Sequence, residues 1–65
     1  MNLNQINKQL RPLGVIAVRG AGYYYWLDAK TNDVIPDAES VYVYRASDLS
    51  LDHWTGLAKD AAKCL

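Results

Sequence analysis

The sequence predicts a small α+β domain in which a helix, a three-stranded antiparallel sheet and a C-terminal helix follow one another. Apolar residues recur at helical spacing near both ends of the chain. Two β-rich runs flank Gly20-Ala21-Gly22, and a third run, residues 40–45, alternates β-branched and aromatic side chains. The simplest way to bury these apolar faces is to place both helices on one face of the sheet.

The first helix is expected at the start of the chain. Four apolar residues spaced by three, four and three positions lie on one helical face: Leu3, Ile6, Leu10 and Leu13. Either Asn2 or Asn4 can cap its N-terminus. Pro12 disfavours helical geometry at the preceding residue, so the helix should end near Arg11.

The sheet is predicted to contain a hairpin and a third strand. Residues 14–19 form the first strand, and residues 23–28 return beside it after the glycine-containing turn. Residues 29–33 have turn composition, with Asn32 suited to a left-handed position. Pro36 then breaks any short strand before the third strand at residues 40–45.

The C-terminal helix has the clearest local signals. Ser50 is a good N-cap, Asp52 suits the positive end of the helix dipole, and Leu49 with Trp54 forms a hydrophobic staple. Its apolar face contains Trp54, Leu57, Ala58, Ala61 and Leu65. Gly56 costs about 1 kcal/mol relative to alanine. We expect close packing of the helix on the sheet to explain that glycine.

Alternation along the strands leaves one face of the sheet uncovered. If Arg19, Asp28 and Arg45 point to water, their side of the sheet also carries Val15, Ala17, Tyr24, Trp26, Val41 and Val43. The opposite face, which should then meet the helices, contains Ile16, Val18, Tyr23, Tyr25, Leu27, Tyr42 and Tyr44. These polar markers sit at strand ends, where alternation often breaks, so the reverse assignment stays open.

An uncovered apolar face usually marks an interaction site, and tyrosine and tryptophan are enriched at interfaces. Two alternatives to a binding surface stay open. Exposed tyrosines can be present for their β-propensity and cross-strand packing alone. The loop at residues 29–39 can also fold over the face and cover it.

Length and composition favour one domain, residues 1–65. Cys64 is the only cysteine, which excludes an intrachain disulfide and is typical of a reducing compartment. The first residues lack the pattern of a signal peptide, and no apolar run is long enough to span a membrane. We therefore expect a soluble cytoplasmic protein.

The charges are unevenly distributed although the formal net charge is zero. Residues 1–27 carry three basic residues and no acid, whereas the remainder carries seven acids and four basic residues. This is not the basic footprint of a nucleic-acid binder, so direct binding to nucleic acid is not expected. The acids can serve solubility, turns and caps, or they can form a negative surface that meets a basic partner.

No residue pattern indicates catalysis. His53 is the only histidine and Cys64 is far from it in sequence, so neither a zinc site nor a cysteine nucleophile with its base is indicated. The glycines at 20 and 22 lead into a strand and not into a helix, which excludes a phosphate-binding loop. We expect no metal, no cofactor and no enzymatic activity.

Three stretches carry a resemblance to known proteins: residues 22–26 (GYYYW), 40–45 (SVYVYR) and 48–54 (DLSLDHW). They are similar to a pattern in small open reading frames of phages and mobile elements in proteobacteria. In size and style the chain also resembles the short anti-CRISPR proteins that such elements encode, including inhibitors of type I systems.

The resemblance implies a stoichiometric inhibitor that binds a Cas protein or surveillance complex of the host and blocks DNA recognition or nuclease recruitment. Two sets of residues are then candidates for partner binding. Acids that would imitate DNA phosphates are Asp28, Asp33, Asp37 and Glu39. Side chains that would block sterically are Tyr24, Trp26, Val41 and Val43. The alternatives are a self-associating accessory or structural protein that uses the aromatic face as a homodimer interface, and a small regulator.

Overall fold

In a computed structural model that describes residues 2–65, two α-helices pack on the same face of a two-stranded antiparallel sheet. The order is helix α1 (Leu3–Leu10), strand β1 (Val15–Arg19), strand β2 (Tyr24–Asp28) and helix α2 (Leu51–Ala62). Single 3₁₀ turns follow α1 and precede α2, at Arg11–Leu13 and Ala46–Asp48. The α+β class is confirmed, and the predicted third strand is absent from the described residues.

Helix α1 begins and ends where the sequence predicts. The side chain of Asn2 accepts a hydrogen bond from the Gln5 N–H (2.9 Å), and the Gln5 side chain accepts one from the Asn2 N–H (3.0 Å). This reciprocal capping box satisfies two donors that the helix cannot satisfy itself. The 3₁₀ turn contains Pro12, and Gly14 follows it in the left-handed conformation (φ 93°). Proline and glycine together therefore end the helix and turn the chain into β1.

One side chain of α1, that of Asn7, covers the free edge of β1. Ala17 is opposite Trp26 in the ladder, but its N–H and C=O bond outside the sheet, as in a non-hydrogen-bonded pair. The Asn7 amide bonds both of them: its Nδ2 donates to the Ala17 carbonyl and its Oδ1 accepts from the Ala17 N–H, each at 2.9 Å. Asn7 thus takes the place of a neighbouring strand and blocks edge-to-edge pairing at the centre of β1.

The third-strand prediction is wrong because the segment after β2 pairs with it only at two separate points. Leu27 bridges Val34 and Tyr24 bridges Val41, the latter through two hydrogen bonds of 2.8 Å. The bridged residues are three apart on β2 but seven apart on the returning segment. Four extra residues must therefore bulge out of the ladder. Pro36, which cannot donate a ladder hydrogen bond, lies within this bulge.

The helices cover the face of the sheet that we expected to be exposed. Val15, Ala17, Tyr24 and Trp26 are buried, and they form one core cluster with buried residues of α1 and α2. Arg19 and Asp28 were misleading markers because they sit at the last positions of their strands, where the chain turns to solvent. The faces are therefore the reverse of the first assignment, an outcome that the sequence left open: the helices cover the side with Tyr24 and Trp26.

Trp54 on α2 is the centre of this core. It is fully buried, and its ring meets Tyr24 (centroids 5.4 Å apart, 80° between planes) and Trp26 (6.0 Å, 71°) edge-on. Its Nε1 donates to the Ala46 carbonyl at 2.8 Å. Edge-to-face rings with a satisfied indole N–H are a favourable way to bury so much aromatic surface. Ala17 lies on the same sheet face and is buried in the same core cluster.

Helix α2 has the predicted cap, since the Ser50 hydroxyl accepts the His53 N–H at 3.1 Å. Leu49 packs against the core, as expected for a staple residue. Leu65 lies beyond the last residue of the helix and is 60% exposed, so its assignment to the apolar helix face is wrong. Within residues 2–65 no helix is long and apolar enough to cross a membrane.

The prediction that Gly56 allows close packing of the helix on the sheet is also wrong. This residue is exposed, and a Cβ built on it meets no atom within 4 Å. Gly56→Ala should therefore raise the free energy of unfolding by up to about 1 kcal/mol, because alanine loses less backbone entropy on folding. Urea denaturation followed by circular dichroism would measure the change. A midpoint that stays the same or falls would mean that the glycine has a role in the folded state.

Candidate functional site

Three tyrosine rings form a row on the sheet face that the helices leave uncovered. The ring of Tyr23 lies 6.0 Å from that of Tyr25 and 6.2 Å from that of Tyr42, measured between centroids, with interplanar angles of 46° and 40°. Tyr25 belongs to β2, Tyr23 precedes it, and Tyr42 lies on the returning segment. The row therefore crosses from the sheet to the segment that replaces the third strand.

Aliphatic side chains continue this surface along the strands. Val18 and Tyr25 are opposite one another in the ladder, as are Leu27 and Val34, so each pair shares a face of the sheet. Val18 and Leu27 are half-buried and Val34 is 57% exposed. We refer to this surface as the tyrosine face and define it by six residues: Val18, Tyr23, Tyr25, Leu27, Val34 and Tyr42.

Gly20 helps to hold the tyrosine row in position. A Cβ built on Gly20 would lie 2.7 Å from Cζ of Tyr23, which is closer than real side chains approach. The Tyr23 ring thus lies directly over the glycine backbone, an arrangement in which an aromatic ring covers a glycine that has no side chain of its own. The Gly20 N–H donates to the Tyr23 carbonyl at 2.7 Å and closes the hairpin at the same place.

The tyrosine face is partly exposed and has no formal charge: Val34 and Tyr42 are exposed and the other four residues are half-buried. Tyr42 is 80% exposed, although it contacts Tyr23. None of the six residues that define the face is charged, so its only polar groups are phenolic hydroxyls and backbone. Contiguous apolar surface of this kind on a small domain is typical of an interaction site.

The side chains predicted for steric blocking lie elsewhere. Tyr24, Trp26 and Val41 are buried in the core, and Val43 is partly buried against it. The burial of Tyr24, Trp26 and Val41 leaves them almost no surface on the outer face of the sheet, so the structure does not support these three as a steric block on that face. The tyrosines on the other face were missed because we expected the helices to cover them.

A signal for the correct face was present in the sequence. At residues 41–44 valine alternates with tyrosine, and the valines point inward while Tyr42 and Tyr44 are exposed. A phenol keeps its hydroxyl hydrated on an exposed face, whereas valine has no polar atom to satisfy. The tyrosine positions of this segment thus indicate the solvent side.

The predicted acids divide into two groups. Asp28 is half-buried and its Oδ1 accepts the Lys30 N–H at 2.8 Å, while the Asp33 carbonyl accepts the Asp28 N–H at 2.8 Å. Both residues therefore build the turn after β2. Asp37 and Glu39 instead border a cleft between the bulged segment and α2, and Asp60 borders the same cleft. The sequence did not identify Asp60 because it lies more than twenty positions away from the other two.

The described residues contain no cluster suited to a metal ion. Among residues 2–65 no group of three or more His, Cys, Asp or Glu side chains is arranged to hold a metal ion. Cys64 is exposed with a free thiol, and His53 is exposed in the first turn of α2. Comparisons with protein-family models, curated proteins and solved structures returned no match.

Proposed function

We propose that this chain is a non-enzymatic binding protein that docks on a partner protein through the tyrosine face. The observation that carries the proposal is the row of three tyrosines on an uncovered and uncharged sheet face. Tyrosine supplies a large contact area, a hydroxyl for hydrogen bonding and few rotatable bonds, so it loses little entropy when it is immobilised.

A protein partner fits this surface better than a nucleic acid does. Bases stack on exposed aromatic rings, but proteins that bind single strands also need a positively charged groove for the phosphates. The six residues of the tyrosine face include no lysine or arginine. Stacking of bases would therefore lack the electrostatic contribution that dominates affinity for nucleic acid.

The resemblance to short anti-CRISPR proteins suggests which partner to test. On this proposal the chain acts in the bacterial cytoplasm and binds a Cas subunit or surveillance complex of a type I system. Steric blocking by the tyrosine face is favoured over imitation of DNA, because the Asp28 carboxylate accepts the Lys30 N–H, and Asp37 and Glu39 border a cleft on the helix side of the sheet.

The charge-free face also favours a second candidate function, self-association. Two copies related by a two-fold axis would bring the same patch together, and an uncharged patch can meet itself without burying like charges. Such a protein would be a dimeric accessory or structural component.

Two measurements separate these candidates. Tagged protein expressed in a host with an active type I system should retain Cas subunits, identified by mass spectrometry, and should restore plaque formation by a targeted phage. Sedimentation equilibrium of the purified protein at micromolar concentration should give the mass of a monomer. Loss of Cas retention together with unchanged interference would refute the inhibitor proposal, and a dimer mass would support self-association instead.

A further inference from the structure

A cleft lies between residues 37–39 and the C-terminal half of α2, on the helix side of the sheet. Its apolar lining includes Trp26, Leu57 and Ala61. Its volume is about 160 Å³. A cavity of about 150 Å³ accommodates one benzene molecule, so this cleft has the size to receive a single side chain.

Three carboxylates, those of Asp37, Glu39 and Asp60, belong to residues bordering the cleft, and all three residues are exposed. Within residues 2–65, Asp37 and Glu39 form no ion pair. Asp60 pairs with Lys63 at 3.8 Å, but both side chains are largely exposed, and such pairs contribute little. The cleft therefore combines an apolar lining with three acidic residues at its border.

One wall of the cleft is held in place by a hydrogen bond. The Trp26 Nε1 donates to the Glu39 carbonyl at 3.1 Å, and the Trp26 ring is itself packed edge-on against Trp54. The bulged segment is thus tied through its backbone to the core. This hydrogen bond uses the backbone of Glu39, so it remains available when the Glu39 side chain is substituted. The charge at the cleft can therefore be removed while the shape of the cleft is kept.

We propose that this cleft binds an arginine side chain of a partner polypeptide. The aliphatic part of arginine can lie along the apolar lining while the guanidinium meets the carboxylates at the border. Guanidinium matches carboxylates geometrically through paired N–H donors and is more weakly hydrated than ammonium, so its partial burial costs less than that of lysine. The negative border disfavours anions. This site lies on the helix side of the sheet and does not depend on the tyrosine face.

Nuclear magnetic resonance with a pair of capped tripeptides tests the site. Acetyl-Ala-Arg-Ala-amide should produce saturable shifts of the Trp26 indole N–H and of the backbone amides of residues 37–39. The same peptide with citrulline, which keeps the shape of arginine and removes the charge, should not. The Trp54 indole N–H, which donates inside the core to Ala46, serves as an internal reference.

Two charge-matched variants locate the binding. Asp37→Asn with Glu39→Gln removes two charges from the cleft and should weaken binding at least tenfold. Asp33→Asn with Asp52→Asn removes two charges from exposed positions outside the cleft and should change the dissociation constant less than twofold. The proposal is overturned if both double variants weaken binding equally, if citrulline binds as well as arginine, or if no saturable shift occurs up to about 50 mM peptide. None of these outcomes bears on the tyrosine face.

Discussion

Trp54→Ala is expected to unfold the protein. Trp54 is fully buried at the meeting point of α2, Tyr24 and Trp26, and truncation of such a residue costs about 3–5 kcal/mol. A single core in a chain of this length supplies only about 3–5 kcal/mol of stability, so little or none would remain. Far-ultraviolet circular dichroism at 25 °C should lose its helical signal, and thermal denaturation should lose its cooperative transition.

Two further variants serve as comparisons for Trp54→Ala: one retains a ring at position 54, and the other removes an exposed ring elsewhere. Trp54→Phe retains most of the buried ring but leaves the Ala46 carbonyl without its donor, so we expect a folded protein destabilised by about 1–3 kcal/mol. Tyr44→Ala removes an aromatic ring that is 83% exposed and should change stability by no more than about 0.5 kcal/mol. A cooperative transition near the unsubstituted midpoint for Trp54→Ala would contradict the core described for α2.

Tyr25→Ala combined with Tyr42→Ala is expected to abolish partner binding while the fold is retained. Tyr42 is 80% exposed and Tyr25 is half-buried on the tyrosine face, so neither contributes to the core cluster. Aromatic residues at the centre of an interface commonly contribute about 2 kcal/mol or more, which corresponds to at least about a 30-fold loss of affinity. Retention of Cas subunits and inhibition of interference should both be lost. If the chain self-associates instead, the dimer should dissociate.

Tyr44→Ala is the matched control for this experiment as well. Tyr44 is as exposed as Tyr42 and follows it by two positions, but it is not one of the rings in the row. Its loss should leave binding intact. Equal losses from the control and from the double variant, or undiminished binding by the double variant, would show that the row of tyrosines is not the interface.

The core residues first assigned to binding should behave differently. Tyr24 and Trp26 are 3% and 2% exposed, so their replacement by alanine should destabilise the fold before it affects any surface. A loss of binding in these variants would need to be compared with their loss of helical signal. Selective loss of binding with a full helical signal would return these two residues to the partner-binding set.

Features that depend on neighbours in sequence were determined by the sequence alone. Asn2 and Ser50 cap the helices, Pro12 ends α1, and Asn32 adopts the left-handed conformation with φ 61°. Each of these follows from the conformational preference or short-range hydrogen bonding of one or two residues. The hairpin and the α+β class followed from periodicity and turn composition. The placement of both helices on one side of the sheet followed from the need to bury their apolar faces.

Only the tertiary structure decided which face of the sheet those helices cover. Strand alternation defines two faces, and the valine–tyrosine alternation at residues 41–44 is the one local indication of which face meets solvent. In the fold, Trp54 packs against Tyr24 and Trp26 on the covered face. Tertiary structure also reduced the third strand to two bridges and brought Asp60 beside Asp37 and Glu39. These features depend on contacts between residues distant in sequence, which local preferences alone do not determine.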